Sequence, residues 1–165
     1  MSEIEYVVPP AIKVSQDAVF NFADLYNLTK SWFEKHKYDF FEKEYLDTER
    51  ENKKSCNIRW MSERKVDDYT KFHIDIAITG YDLEDVSLKT CVACKGRIVF
   101  QFASYLERDY EDMWSHNFFM RFIRSAYDTF VIRGKFSKYK QELKEETYAL
   151  FNQTKSFLRL QEYKA

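Results

Sequence analysis

The feature that most constrains the fold is a change of hydrophobic period along the chain. Between residues 38 and 109 apolar side chains alternate with mostly polar ones, most clearly from Phe72 to Ile78. This alternation is typical of strands with one buried face, because successive side chains of a strand point to opposite sides of the sheet. Three polar connectors separate the runs, at 48–55, 64–69 and 80–90. We therefore expect four or five antiparallel strands joined as a meander.

Apolar residues at helical spacing lie on both sides of this region. Residues 15–36 predict an N-terminal helix, with Ser15 as its N-cap. After Glu111 a strongly apolar helical stripe runs as far as Gly134, which we interpret as a kink or a boundary between two helices. Residues 135–165 have one apolar and one charged face and predict a long amphipathic helix packed by one side.

The segment before the first predicted helix looks extended. Residues 4–14 carry Pro9 and Pro10, which lack backbone donors, so the segment predicts an edge strand with a break. The fold class is therefore α+β: an antiparallel β-meander packed against an N-terminal helix and a long C-terminal helix. No linker or repeat divides the chain, and we expect a single domain over residues 1–165.

Composition excludes several functions. With 26 Lys and Arg against 27 Asp and Glu, the chain lacks the positive charge that nucleic-acid binding favours. Its 3 glycines are too far apart for a phosphate-binding loop, and no apolar run is long enough to span a membrane. The start has no secretion signal and the cysteines number 3, which indicates reduced thiols and a cytoplasmic protein.

Aromatic residues make up 18% of the chain, and many lie on the predicted inward faces. They fill a core, or they line a cavity between a curved sheet and the long helix, where a small apolar or amphipathic ligand would bind. The side chains that we expect to line it are Trp60, Ile74, Ile76, Phe100, Phe102, Phe118 and Phe122.

Two other groups of residues suggest chemistry. Cys91 and Cys94 have the spacing of a zinc or redox pair, but a structural zinc needs four ligands and Cys56 supplies at most a third. His73 and Asp75 share the polar face of the clearest strand and could transfer a proton, although a solvated cross-strand pair is the commoner arrangement. We expect neither a metal, a cofactor nor a catalytic residue, and interpret the chain as a binding protein rather than an enzyme.

Several short motifs are spread over most of the chain: Tyr26, Trp32, Tyr38, the run from Glu42 to Tyr45, Trp60, Asp68-Tyr69, Asp109-Tyr110-Glu111, Trp114, Phe122-Ile123-Arg124, Tyr127-Asp128 and Lys155-Ser156-Phe157-Leu158. In these motifs the sequence resembles an uncharacterised family of small archaeal proteins. That resemblance implies a cytosolic protein and no particular chemistry.

The predicted order of elements is similar in topology to the helix-grip fold of START-type lipid-transfer domains and polyketide cyclases. That fold encloses an apolar cavity between its sheet and its last helix. The resemblance therefore implies a module that holds its ligand there. We expect a cytosolic, non-enzymatic binding module. The alternative is a protein-interaction module with a filled core, which would form a homodimer or join a complex through an apolar stripe on the 135–160 helix. A cyclase-type or hydratase-type enzyme that uses His73 and Asp75 in the same cavity is a further alternative.

Overall fold

The computed structural model describes residues 2–50, 53–87, 92–110 and 133–162. Within these ranges the chain forms five strands and two helices, in an order that begins with a strand and ends with the longest helix. Their bounds are β1 Glu3–Phe20, α1 Phe22–Lys35, β2 Asp39–Arg50, β3 Lys53–Lys65, β4 Thr70–Ser87, β5 Val92–Arg108 and α2 Arg133–Glu162.

All five strands belong to one antiparallel sheet with the order β1-β5-β4-β3-β2. Strands β2 to β5 form the predicted meander, since each pairs with the next in sequence. The expected connectors at 48–55 and 80–90 are wrong for the most part, because β2 runs to Arg50, β3 begins at Lys53 and β4 continues to Ser87. Strand β1 then pairs with the last strand and closes the order at the opposite edge. This arrangement confirms the predicted α+β class, an antiparallel meander with an N-terminal and a C-terminal helix.

Strand β1 is longer than predicted, and the Ser15 cap is wrong. Residues 15–20 continue the pairing with β5, from Ser15 opposite Val99 to Phe20 opposite Cys94. Alternate residues of this stretch face inward, and both Ala18 and Phe20 are buried. The helix begins only at Phe22, after Asn21, whose side-chain oxygen accepts from the Ala23 amide at 2.8 Å.

One face of the sheet, the core face, packs against the helices. Helix α2 lies against β1 and β5, and α1 contacts both α2 and β2. The predicted apolar stripe of α2 is buried, because its inward residues recur at spacings of three, four or seven positions, which place them on one side of a helix. These residues are Phe136, Leu143, Thr147, Leu150, Thr154 and Leu158.

A single arginine connects β3 to α2 and to the chain that follows α1. The Arg64 guanidinium lies between the rings of Tyr38 and Phe72, with its carbon 4.8 and 4.9 Å from the two ring centroids. It donates to the His36 carbonyl at 3.1 Å, to Glu146 at 2.9 Å and to Glu142 at 2.7 Å. The Tyr38 hydroxyl also donates to Glu146, at 2.6 Å. We call this group the Arg64 clamp.

Several predictions fall on residues outside the described ranges. The apolar helix expected between Glu111 and Gly134 lies there almost entirely. The long amphipathic helix is confirmed over Arg133–Glu162, with Gly134 in its first turn. Among the described residues no helix is long and apolar enough to cross a membrane. The single domain over 1–165 stays a prediction.

Candidate functional site

The second face of the sheet, the outer face, is turned away from both helices and carries a small pocket. Two alanines create it: Ala103 lies opposite Asp75 on β4, and Ala77 lies opposite Gln101 on β5. Their methyl groups are shorter than the side chains around them, so they leave a depression of about 230 Å³, which we call the alanine pocket. It is lined by Tyr6, Pro10, Arg59, Met61, Asp75, Ile76, Ala77, Gln101 and Ala103.

The rim of the alanine pocket comes from the predicted break in β1. The register of β1 against β5 shifts between Tyr6 and Val8 and again between Val8 and Ile12, because the two prolines lack ladder donors. The Gln101 side-chain amide donates to the Pro10 carbonyl and ties the displaced segment to β5. The break therefore places Tyr6 and Pro10 at the edge of the pocket.

Asp75 is the polar group of the pocket with the most unusual environment. Its Oδ1 atom is buried and has no hydrogen-bond partner among the described residues. Burial raises the pKa of Asp75 above its ordinary value, while the positive charges of His73, Arg59 and Lys43 act in the opposite direction. Because buried polar atoms are almost always paired, the partner of Oδ1 is a group outside the described residues, such as water or a ligand.

A second polar group adjoins Asp75 along the same face. His73 is only 8% exposed, and its Nε2 lies 2.9 Å from Glu107 Oε2 on β5. Its ring stacks on Tyr105 with centroids 4.6 Å apart, and Tyr105 in turn lies 5.5 Å from Tyr6. Burial, with the nearby Asp75 charge, raises the pKa of Tyr105 to about 12. His73 thus forms a partly buried diagonal pair with Glu107 on β5, whereas the sequence suggested a solvated pair with Asp75.

The predicted cavity residues lie on the core face. Five of the seven are described there, and each is at most 1% exposed. Rings from elsewhere contact them: Phe151 of α2 lies 5.6 Å from Phe102, and Tyr26 of α1 lies 5.7 Å from Trp60. The five are Trp60, Ile74, Ile76, Phe100 and Phe102; Phe118 and Phe122 lie outside the described residues. The cavity that they would enclose stays a prediction.

The cysteines do not form a metal site in the part of the chain that the structure describes. No cluster of His, Cys, Asp and Glu there could hold an ion. Cys56 is buried on the core face beside Gly80, and the Cys94 thiol lies 3.9 Å from Asp85 Oδ1. Cys91, the first residue of the predicted pair, lies outside the described residues.

A larger groove of about 460 Å³ lies along α1 and the end of α2. Its lining is Asp24, Asn27, Leu28, Ser31, Trp32, Lys35, His36, Gln153 and Phe157. Most of these residues are exposed, and none carries an unsatisfied buried polar atom. The alanine pocket is smaller, but its half-buried carboxyl group and aromatic rim make it the stronger candidate for recognising a ligand.

Comparison with known proteins identifies no relative: no family model matches the chain, and neither a curated protein nor a solved structure matches it. The resemblances to the archaeal family and to the helix-grip fold therefore stay predictions.

Proposed function

We propose that the protein is a non-enzymatic cytoplasmic binding module for a small amphipathic ligand, and that the ligand occupies the alanine pocket. The observation that carries the proposal is the Asp75 oxygen, which is buried beside open space without a hydrogen-bond partner among the described residues. Buried polar groups are almost always paired, so a ligand that donates to this oxygen would satisfy it. The apolar lining from Met61, Ala77 and Ala103 suits the remainder of an amphipathic molecule.

This placement differs from the site expected between the sheet and α2. Ring contacts such as Phe72 to Tyr139, at 5.7 Å, already occupy the core face. Trp60, Ile74 and Phe102 of the predicted lining are completely buried. The outer face offers open volume and polar groups together, which small-molecule sites require.

Native mass spectrometry of the purified chain, without added ligand, tests the proposal. We expect an organic adduct that is absent from the denatured protein. Ala77→Leu should abolish it by filling the pocket. Thr79→Leu is the matched control, because Thr79 follows on the same strand and face but does not line the pocket.

Three outcomes would contradict the proposal. An adduct that survives Ala77→Leu would lie elsewhere, and its loss on Phe102→Ala would place it between the sheet and α2. A dimer without adduct would favour the protein-interaction module. A bare monomer would show that the chain retains no tightly bound ligand.

A further inference from the structure

The geometry of the alanine pocket points to a particular chemical class of ligand. We propose that it binds a small organic cation, an ammonium or amidinium group on a compact apolar body, with the charged nitrogen donating to Asp75. This inference rests on the proposed function and adds the identity of the recognised group.

The hydrogen bonding of the Asp75 carboxyl group favours a ligand that is a donor. The oxygen Oδ1 accepts no hydrogen bond from the described residues, and an ionised carboxylate has only acceptors to offer. The partner that it lacks is therefore a donor. A donor that also carries positive charge forms a shorter and stronger hydrogen bond to a carboxylate than a neutral one.

The carboxylates of the outer face differ in whether a basic side chain lies close to them. Glu107 pairs with His73 at 2.9 Å, and Glu63 pairs with Lys71 at 3.1 Å. Asp75 has no such ion pair within salt-bridge distance among the described residues, although Arg59 and Lys43 act on it from farther away. A ligand cation in the pocket would therefore give Asp75 a close partner, as Lys71 is for Glu63 and His73 is for Glu107.

The aromatic rim of the alanine pocket also favours a cationic ligand. Tyr6 is 56% exposed and stands beside the pocket, with its ring 5.5 Å from that of Tyr105. The face of an aromatic ring attracts organic cations, and carboxylates combined with aromatic rings are a common way to bind them. Asp75 would repel an anionic ligand, although Arg59, which also lines the pocket, would attract it.

The volume limits the size of the ligand. The pocket volume of about 230 Å³ is below the roughly 300–1,000 Å³ of most small-molecule sites, so the ligand is smaller than a drug-sized molecule. Phenethylamine is a suitable probe, with 3-phenylpropionate as its anionic counterpart and 2-phenylethanol as the neutral one.

The test is a titration of the isotope-labelled full chain with each of the three probes, followed by amide chemical shifts. We expect phenethylamine to bind at least about tenfold more tightly than 3-phenylpropionate, the difference made by one charge-assisted hydrogen bond. Asp75→Asn should remove this preference. Glu63→Gln is the matched control: it removes one negative charge from the same face, outside the pocket lining, and should leave the affinity within about twofold.

The outcomes separate the two proposals. Equal binding of all three probes by the wild-type protein, together with no binding by Ala77→Leu, would overturn the proposal of a cationic ligand. That result would keep the alanine pocket as a ligand site. The proposal of a cationic ligand would also be overturned if Asp75→Asn kept the preference for phenethylamine over 3-phenylpropionate. The same holds if Glu63→Gln lost that preference as well. If no probe shifts the amides of Ala77 and Ala103, both the cation class and the proposed site fail.

Discussion

Replacing Arg64 with methionine should lower the free energy of unfolding more than any other single charge removal in the Arg64 clamp. Methionine retains an apolar chain between the rings of Tyr38 and Phe72 but removes the guanidinium. Glu146 then loses its arginine, and the His36 carbonyl loses a donor. The variant therefore tests the charged group rather than the space that it fills.

The expected magnitude follows from burial. The Arg64 and Glu146 side chains are each 16% exposed, and a hydrogen bond between charged groups contributes about 1.5–3 kcal/mol. Each cation–π contact adds about 0.5–1 kcal/mol, whereas Glu142, at 49% exposed, contributes at most about 1 kcal/mol. We therefore expect Arg64→Met to destabilise the protein by about 3 kcal/mol. Glu142→Gln should cost less than about 1 kcal/mol.

Urea unfolding at neutral pH measures both variants. With a slope of about 2 kcal/mol per molar urea, Arg64→Met should lower the midpoint by about 1.5 M. A double-mutant cycle with Glu146→Gln isolates the buried pair and should give a coupling energy of about 2 kcal/mol. The same cycle with Glu142→Gln is the control and should give under about 0.5 kcal/mol. Equal coupling energies in the two cycles would show that burial does not strengthen the Arg64–Glu146 pair, and so would a change in stability of less than about 1 kcal/mol for Arg64→Met.

Two further predictions concern glycines and pH. Gly96→Ala should destabilise the protein by about 1–3 kcal/mol, because its Cβ would lie 2.9 Å from the carbonyl oxygens of Tyr81 and Asp82. Gly134→Ala should stabilise it by about 0.5–1 kcal/mol, because open space surrounds this position in α2. Thermal melts in which Gly96→Ala is the more stable variant would contradict this account of the two glycines. Asp75→Asn should stabilise the protein at pH 7. The folded state holds the Asp75 proton more tightly than the unfolded chain does, so ionisation of Asp75 lowers stability as the pH rises above 3.8. Urea unfolding between pH 4 and pH 8 should show the gain widening with pH, and a constant gain would exclude this cause.

The alternation of apolar and polar residues predicted the central strand of the sheet, since Phe72, Ile74 and Ile76 are buried on one face of β4 as expected. It failed at residues 15–20 because a short amphipathic stretch fits two periods at once. Val19 and Phe22 are three apart, as in a helix, yet Ala18 and Phe20 are two apart, as in a strand. Pairing with β5 decided the outcome, and the partner strand lies some eighty residues away in the sequence.

The candidate site needed one more kind of information. Alternation assigned Asp75 and Ala77 to the polar face, but a single strand does not reveal which residues lie beside them. Ala103 lies next to Asp75, and Gln101 next to Ala77, only because β4 and β5 pair in one register. The pocket also requires the break at Pro10, whose position over Gln101 depends on two register shifts in β1. A ligand site on a sheet therefore depends on strand register as much as on residue type. Shifting β4 by one residue against β5 would turn Ile76 and Ile78 to the outer face in place of Asp75 and Ala77 and close the depression.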